Sequence, residues 1–179
     1  PSDSSGNSID NPPEIAVTTS QAEICWMEKF AREGVVETWT GEGAELKVHR
    51  INSPDGSNTH CFEDSNIVQF RNNSDITHEG YVYKIFRYDV HRFPYLSIRI
   101  HSLSGGAKWK LLAVTESGEL EVQAEAFDTG VFTCDLGKLL AEDLCIENKQ
   151  GPASLTLKLF ILGRKALGGL DWIEAFSMV

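Results

Sequence analysis

The segment Tyr95-Leu-Ser-Ile-Arg-Ile-His101 alternates apolar and polar side chains without a break. Leu96, Ile98 and Ile100 fall on one side, and Tyr95, Ser97, Arg99 and His101 on the other. A period of two describes a strand buried on one face, whereas a helix repeats its apolar positions every three or four residues. Such a strand needs hydrogen-bonding partners on both edges and a second layer over its apolar face.

The rest of the chain supplies them. Leu46-Lys-Val-His-Arg-Ile51 alternates and stops at the turn residues Ser53-Pro-Asp-Gly56. A short apolar run, Ile67-Val-Gln-Phe70, is closed by Asn72-Asn-Ser-Asp75. Strand-like segments follow at 81–88, 95–102, 108–115, 120–126, 131–136, 155–162 and 170–176. Ser104-Gly-Gly106 and Glu116-Ser-Gly118 read as hairpin turns. Residues 136–144 are the one helical candidate, short enough to form a single turn or loop. Many short strands at regular spacing predict an all-β fold, an antiparallel β-sandwich or jelly roll.

A chain of 179 residues, 41% of them hydrophobic, is one domain with material for its own core. Residues 1–22, rich in Ser, Asp, Asn and Pro, have the composition of a flexible linker or tail, leaving 23–179 as the sandwich. A linker ahead of a domain suggests a piece of a larger modular protein. The net charge of −10 argues against a nucleic-acid partner, which favours a clustered basic face. No run of about 18 apolar residues exists to cross a membrane as a helix. Cys25, Cys61, Cys134 and Cys145 show no zinc spacing and are either disulfide-paired or buried free thiols. Trp109, in register with Leu111 and Ala113, is expected in the core, and Trp26, Trp39 and Trp172 in the core or at its rim.

No catalytic motif stands out: no GxSxG elbow, no P-loop or dinucleotide fingerprint, and no singled-out carboxylate pair. Tyr83, Arg99 and His101 superficially suit a lyase acting on uronic acids, with Tyr83 or His101 as base. Binding is the better-supported reading. Tyr95, Arg99 and His101, taken with Tyr81, Tyr83 and Arg87 before them and Lys110 and Gln123 after, are expected to form one broad sheet surface. Sugars stack their C–H faces on aromatic rings and take paired hydrogen bonds from such polar groups. The excess of Arg, Lys and His points toward an acidic or uronate-containing glycan. The plain alternative is that these side chains cover a solvated sheet face, or dock a partner protein.

Three places carry a family resemblance. Glu28-Lys-Phe30 … Gly34 … Trp39, Tyr81-Val-Tyr-Lys … Phe93-Pro-Tyr-Leu-Ser-Ile-Arg-Ile100, and Leu170-Asp-Trp-Ile173 … Phe176 together resemble carbohydrate-binding modules of the β-sandwich, galactose-binding-like fold. The resemblance implies a noncatalytic, monomeric, glycan-binding module tethered within a secreted, cell-surface or periplasmic protein. It also implies a structural Ca2+ between the first and last strands, held by Asp171 with Glu28 or Glu23. Binding sites of this fold lie on a sheet face or in loops at one edge, where His91, Arg92 and 72–78 are candidates. Asn72-Asn-Ser74 is, in addition, a glycosylation sequon in a eukaryotic secreted context.

Overall fold

The structure is a computed structural model that describes residues 21–50, 66–73, 79–143 and 151–178. Residues 1–20 of the expected tail, the turn at 53–56, positions 74–78 of the loop candidate, Cys61 and Cys145 lie outside the described residues, and Ala22, expected at the end of the tail, already opens the first strand.

Eleven strands are described: β1 Ala22–Lys29, β2 Thr40–Glu42, β3 Ala44–Arg50, β4 Asn66–Asn72, β5 Glu79–Tyr88, β6 Tyr95–Ser104, β7 Lys108–Thr115, β8 Gly118–Ala126, β9 Gly130–Asp135, β10 Ala153–Leu162 and β11 Leu167–Met178. One helix, α1 (Leu136–Asp143), follows β9. Two antiparallel sheets form, in the orders β3-β4-β11-β6-β9 and β2-β5-β10-β7-β8. In the six-stranded sheet β6 runs along one edge of β11, while β4 and β1 share the other. The expected all-β sandwich is the observed architecture.

Its topology differs from a chain of hairpins. Only β3–β4 and β7–β8 join neighbours in one sheet; the other connections between consecutive strands pass from sheet to sheet. Glu116-Ser-Gly118 is a true hairpin turn, but Ser104-Gly-Gly106 is a corner between sheets. Its two glycines adopt φ of 66° and 70°, where a side chain is strained, and Ala107 N donates to Ser104 O at 3.2 Å.

The core lies between the sheets. Leu96, Ile98, Ile100, Ile173 and Ala175 of the six-stranded sheet face Leu155, Leu157, Leu159, Ile161 and Leu111 of the other. Trp109 is fully buried as expected, edge-on to Phe132 at 4.7 Å, with Nε1 donating to Asp128 O. The β1–β5 side is closed by rings: Trp26 stacks on Phe86 at 4.0 Å, and Trp39 packs against Phe86 and Phe30. Beside them Lys84 pairs with Glu28 across the two sheets and donates to Thr38 Oγ1 at 2.9 Å.

Two sequence expectations change here. Residues 136–143 form two helical turns, because Leu136, Leu139 and Leu140 meet the core at helical spacing. Asp135 Oδ1 caps the helix by accepting the Lys138 amide at 2.9 Å. Asn72, the sequon residue, is fully buried, its Nδ2 donating to Ile161 O and Gly163 O at 3.3 and 2.9 Å. Glycosylation needs that amide exposed, so the folded domain does not offer it.

Candidate functional site

The predicted surface comes apart along the chain crossing from β5 to β6. Tyr95, Arg99 and His101 lie on the outer face of the six-stranded sheet, because their neighbours Leu96, Ile98 and Ile100 fill the core. Tyr81, Tyr83, Arg87 and Lys110 lie on the outer face of the other sheet, behind the whole core. Gln123 lies on neither. A register shift in the β7–β8 pairing sets it opposite the core residue Leu111, and it lines a small cleft between the sheets with Trp109 and Val122. The same separation divides Tyr83 from Arg99 and His101, so these three cannot act together on one substrate.

The outer face of the six-stranded sheet is built in rows. Antiparallel register aligns Ile24, Phe176, Tyr95 and Asp135 in one row across β1, β11, β6 and β9. The next holds Met27, Glu174, Ser97 and Thr133, and the third Lys29, Trp172, Arg99 and Val131. Phe176 and Tyr95 stack at 5.6 Å and 29°, making one apolar platform. Ser97 and Thr133 share a hydrogen bond of 2.6 Å. Arg99 Nε lies 3.1 Å from Asp171 Oδ2, which a bulge in β11 brings beside it. His101 packs over Gly169: a Cβ there would come within 3.3 Å of its Nδ1 and 2.6 Å of Ser102 Oγ.

Glu174 occupies the middle of this face, with Trp172 and Phe176 two residues away on either side along β11. Partial burial among them pushes its carboxyl above the usual carboxylate range. Among the described residues no cation pairs with it. Sequence reasoning missed Glu174 and Phe176; the alternation Trp172, Glu174, Phe176 against Ile173 and Ala175 was their signal.

The outer face of the five-stranded sheet is also aromatic, but its rings are occupied. Tyr81 packs on Phe160 at 4.7 Å and lies near Tyr83 at 6.2 Å. Lys158 Nζ sits 5.0 Å from the centre of Tyr81, and Lys110 Nζ 4.6 Å from that of Phe160. Both ammonium groups also approach carboxylates, Lys110 on Glu79 and Lys158 on Glu119. A sugar would have to displace these cations to reach the rings, so the six-stranded face is the stronger candidate.

The carboxylates implied for Ca2+ do not converge. Asp171 faces Arg99 on the outer surface, Glu28 reaches between the sheets to Lys84, and Glu23 lies 3.5 Å from Arg92. Calcium takes six to eight oxygens, with carboxylates free to neutralise it. Among the described residues no three His, Cys, Asp or Glu group closely enough to hold a metal. These residues do not fit a shared calcium site.

Cys25 and Cys134 are free thiols, not a disulfide. Burial first, and Asp135 second, push the Cys134 thiol up to about 11, consistent with the core position its strand pattern indicates.

No protein-family model matches the chain, and no curated protein is significantly similar to it. Solved structures are. A family 22 xylan-binding domain from Xyn10C of Paenibacillus barcinonensis matches with a TM-score of 0.51 at 15% identity, covering 90% of this chain and 98% of that domain. The family 61 module TmCBM61, solved with β-1,4-galactotriose, matches with a TM-score of 0.45 at 13% identity, covering 80% and 90%. A family 11 module of a Clostridium thermocellum cellulosomal cellulase matches with a TM-score of 0.44 at 11% identity, covering 90% and 96%. The first likeness, over nearly the full length of both chains, shows that this chain has the β-sandwich fold of a carbohydrate-binding module.

Proposed function

We propose that this domain is a noncatalytic carbohydrate-binding module that grips a polysaccharide on the outer face of its six-stranded sheet. The observation that carries this is the stripe Trp172, Glu174, Phe176 beside Tyr95 and Arg99 of the neighbouring strand. Trp172 and Phe176 are four residue steps apart on one strand, about 14 Å at the rise of an antiparallel strand, which is room for more than one sugar ring. Tyr95 and Phe176 offer an apolar platform to the C–H faces of the rings. Arg99 donates to hydroxyls, Glu174 accepts from them, and Thr133, held by the buried Ser97, does both.

The chemistry of the face favours a neutral glycan. The cations that suggested an acidic one are spread over both sides of the molecule, and Arg99 is already matched by Asp171. A central carboxylate with no cation opposite it repels a uronate. An open face of this kind binds weakly by itself, and tethering to other domains raises its effective affinity. A polysaccharide ligand implies that the domain works outside the cell or at its surface.

The fold relative that carries weight is a xylan-binding domain, so a test panel begins with xylan and adds galactan, mannan, cellulose and a polyuronate. Affinity electrophoresis of the wild type and of Trp172→Ala against the panel decides the reading. Retarded migration in a neutral polysaccharide, lost in the variant, supports it. No retardation by any of them, or retardation untouched by the substitution, overturns it.

A further inference from the structure

The charges at one end of the sandwich are unevenly matched. On the five-stranded sheet Lys84, Lys108, Lys110 and Lys158 each face a carboxylate. Arg87 does not. It is exposed at the end of that sheet, and among the described residues its guanidinium has no ion pair and no hydrogen bond. The carboxylate of Glu116 is likewise exposed and unpaired among the described residues. Ser154 pairs with Arg87 on one side, and the Thr156–Val114 register, continued by two residues, sets it level with Glu116 on the other. The two free charges thus flank Ser154, two strand spacings or about 10 Å apart along the backbone.

Between them opens a cavity of about 310 Å³, where β5, β7 and β10 meet α1. That volume is at the lower end of the range for small-molecule sites. Arg87, Glu116 and Ser154 line its rim, and its floor is apolar: Leu155 and Leu140, both core residues, with Val90 beside them. The walls are tied in place. Asp89 Oδ1 accepts the amides of His91 and Arg92 at 3.0 and 3.2 Å, and its Oδ2 accepts Gly151 N at 3.3 Å, holding the β5–β6 loop against the entry to β10. In the β7–β8 turn Thr115 Oγ1 accepts the Ser117 amide at 3.1 Å, and Leu136 N donates to Pro94 O at 2.7 Å where α1 begins. A ligand entering such a frame has little ordering left to impose.

We infer that this cavity binds a small zwitterion with an apolar side chain, of the kind of free leucine or phenylalanine. The charges select it by elimination. A neutral ligand leaves Arg87 and Glu116 without counter-charges, a simple anion meets Glu116, and a simple cation meets Arg87. A molecule carrying both charges satisfies the two at once. Its carboxylate takes the forked N–H groups of Arg87, and its ammonium donates to Glu116 and to the Ser154 hydroxyl. Its side chain leaves water for the floor of Leu140, Leu155 and Val90. The cavity shares no residue with the sheet face, and this inference does not rest on the reading of that face.

The test is NMR titration of the imidazole of His91, which lines the cavity, at pH 7. The probes are L-leucine, L-phenylalanine, N-acetyl-L-leucine, L-leucine methyl ester and D-xylose, added one at a time. A saturable shift is expected with at least one free amino acid. Binding at least about tenfold weaker is expected for the acetyl compound, which lacks the ammonium, and for the ester, which lacks the carboxylate. In Arg87→Ala the free amino acid is expected to bind no better than the ester does to the wild type. In Glu116→Gln it is expected to bind no better than the acetyl compound does. Both residues are exposed and outside the core, and unchanged melting temperatures would confirm that the variants fold. No saturable shift with either amino acid overturns the inference. So does equal binding of the blocked compounds, which the wild type alone reveals, or amino-acid binding that survives both substitutions. Tighter binding of D-xylose than of the amino acids would also overturn it.

Discussion

Arg99 and Asp171 meet on the outer face of the six-stranded sheet with Nε and Oδ2 3.1 Å apart, their side chains 50% and 39% exposed. Arg99 comes from the strictly alternating strand, and Asp171 from a bulge in the strand beside it. An ion pair this open is screened by water and contributes little to stability. It holds a guanidinium in a fixed orientation, which a hydroxyl-bearing ligand can use.

Replacing Arg99 by Ala is therefore expected to leave unfolding free energy within about 1 kcal/mol of the wild type. Glycan affinity is expected to fall at least about tenfold. Denaturant unfolding and isothermal titration read the two effects separately. Unchanged affinity would remove Arg99 from the site, and a large loss of stability would show a structural role instead.

The division of the aromatic residues between two faces gives a paired test. Tyr95→Ala breaks the platform with Phe176 and is expected to weaken glycan binding about tenfold or more. Tyr81→Ala, on the opposite sheet, is expected to leave polymer binding within about twofold of the wild type. A reversed result, with Tyr81 the sensitive position, would move the site to the five-stranded sheet.

Glu174 links binding to pH with a definite sign. Its carboxyl titrates above the ordinary carboxylate value because partial burial disfavours the charge. Just above that ordinary value the folded chain keeps a proton the unfolded chain has released, so this group's contribution to stability falls as pH rises. Glu174→Gln removes the burden and is expected to melt higher than the wild type at pH 7. The difference should vanish below about pH 4, where the glutamate is protonated in both states. The same variant is expected to bind glycan several-fold more weakly, since the amide has lost the charge and one acceptor. Equal melting temperatures across the pH range, or unimpaired binding, would refute this account of Glu174.

Gly169 is a position where a single methyl group should be felt. A Cβ would meet Ser102 Oγ at 2.6 Å and His101 Nδ1 at 3.3 Å. Gly169→Ala is expected to destabilise the domain by about 1–3 kcal/mol, as overpacking does, and to displace the imidazole resonances of His101. Thermal melting and a proton–nitrogen spectrum of the ring measure both; a silent substitution would mean that β6 yields easily there.

The fold was readable in the sequence because side-chain alternation is local. Leu96, Ile98 and Ile100 had to face a core whatever lay across from them, and Trp109 followed from its register with Leu111 and Ala113. Leu136, Leu139 and Leu140 carried a helical period, overlooked only because the segment is short. The site was readable one strand at a time. Tyr95, Arg99 and His101 share a face by period two alone, and so do Trp172, Glu174 and Phe176. That Tyr81 and Tyr83 lie behind the core is not encoded in alternation. It depends on where each connection carries the chain, and a corner such as Ser104-Gly-Gly106 looks like a hairpin until the strands it joins are seen in different sheets. Pairing is likewise beyond local pattern, since Arg99 with Asp171 and Glu28 with Lys84 lie 72 and 56 residues apart in sequence. The sequence by itself determined which residues turn outward on each strand. Only tertiary structure decided which of those outward rows stand side by side, because strand neighbours are chosen by burial of the whole core.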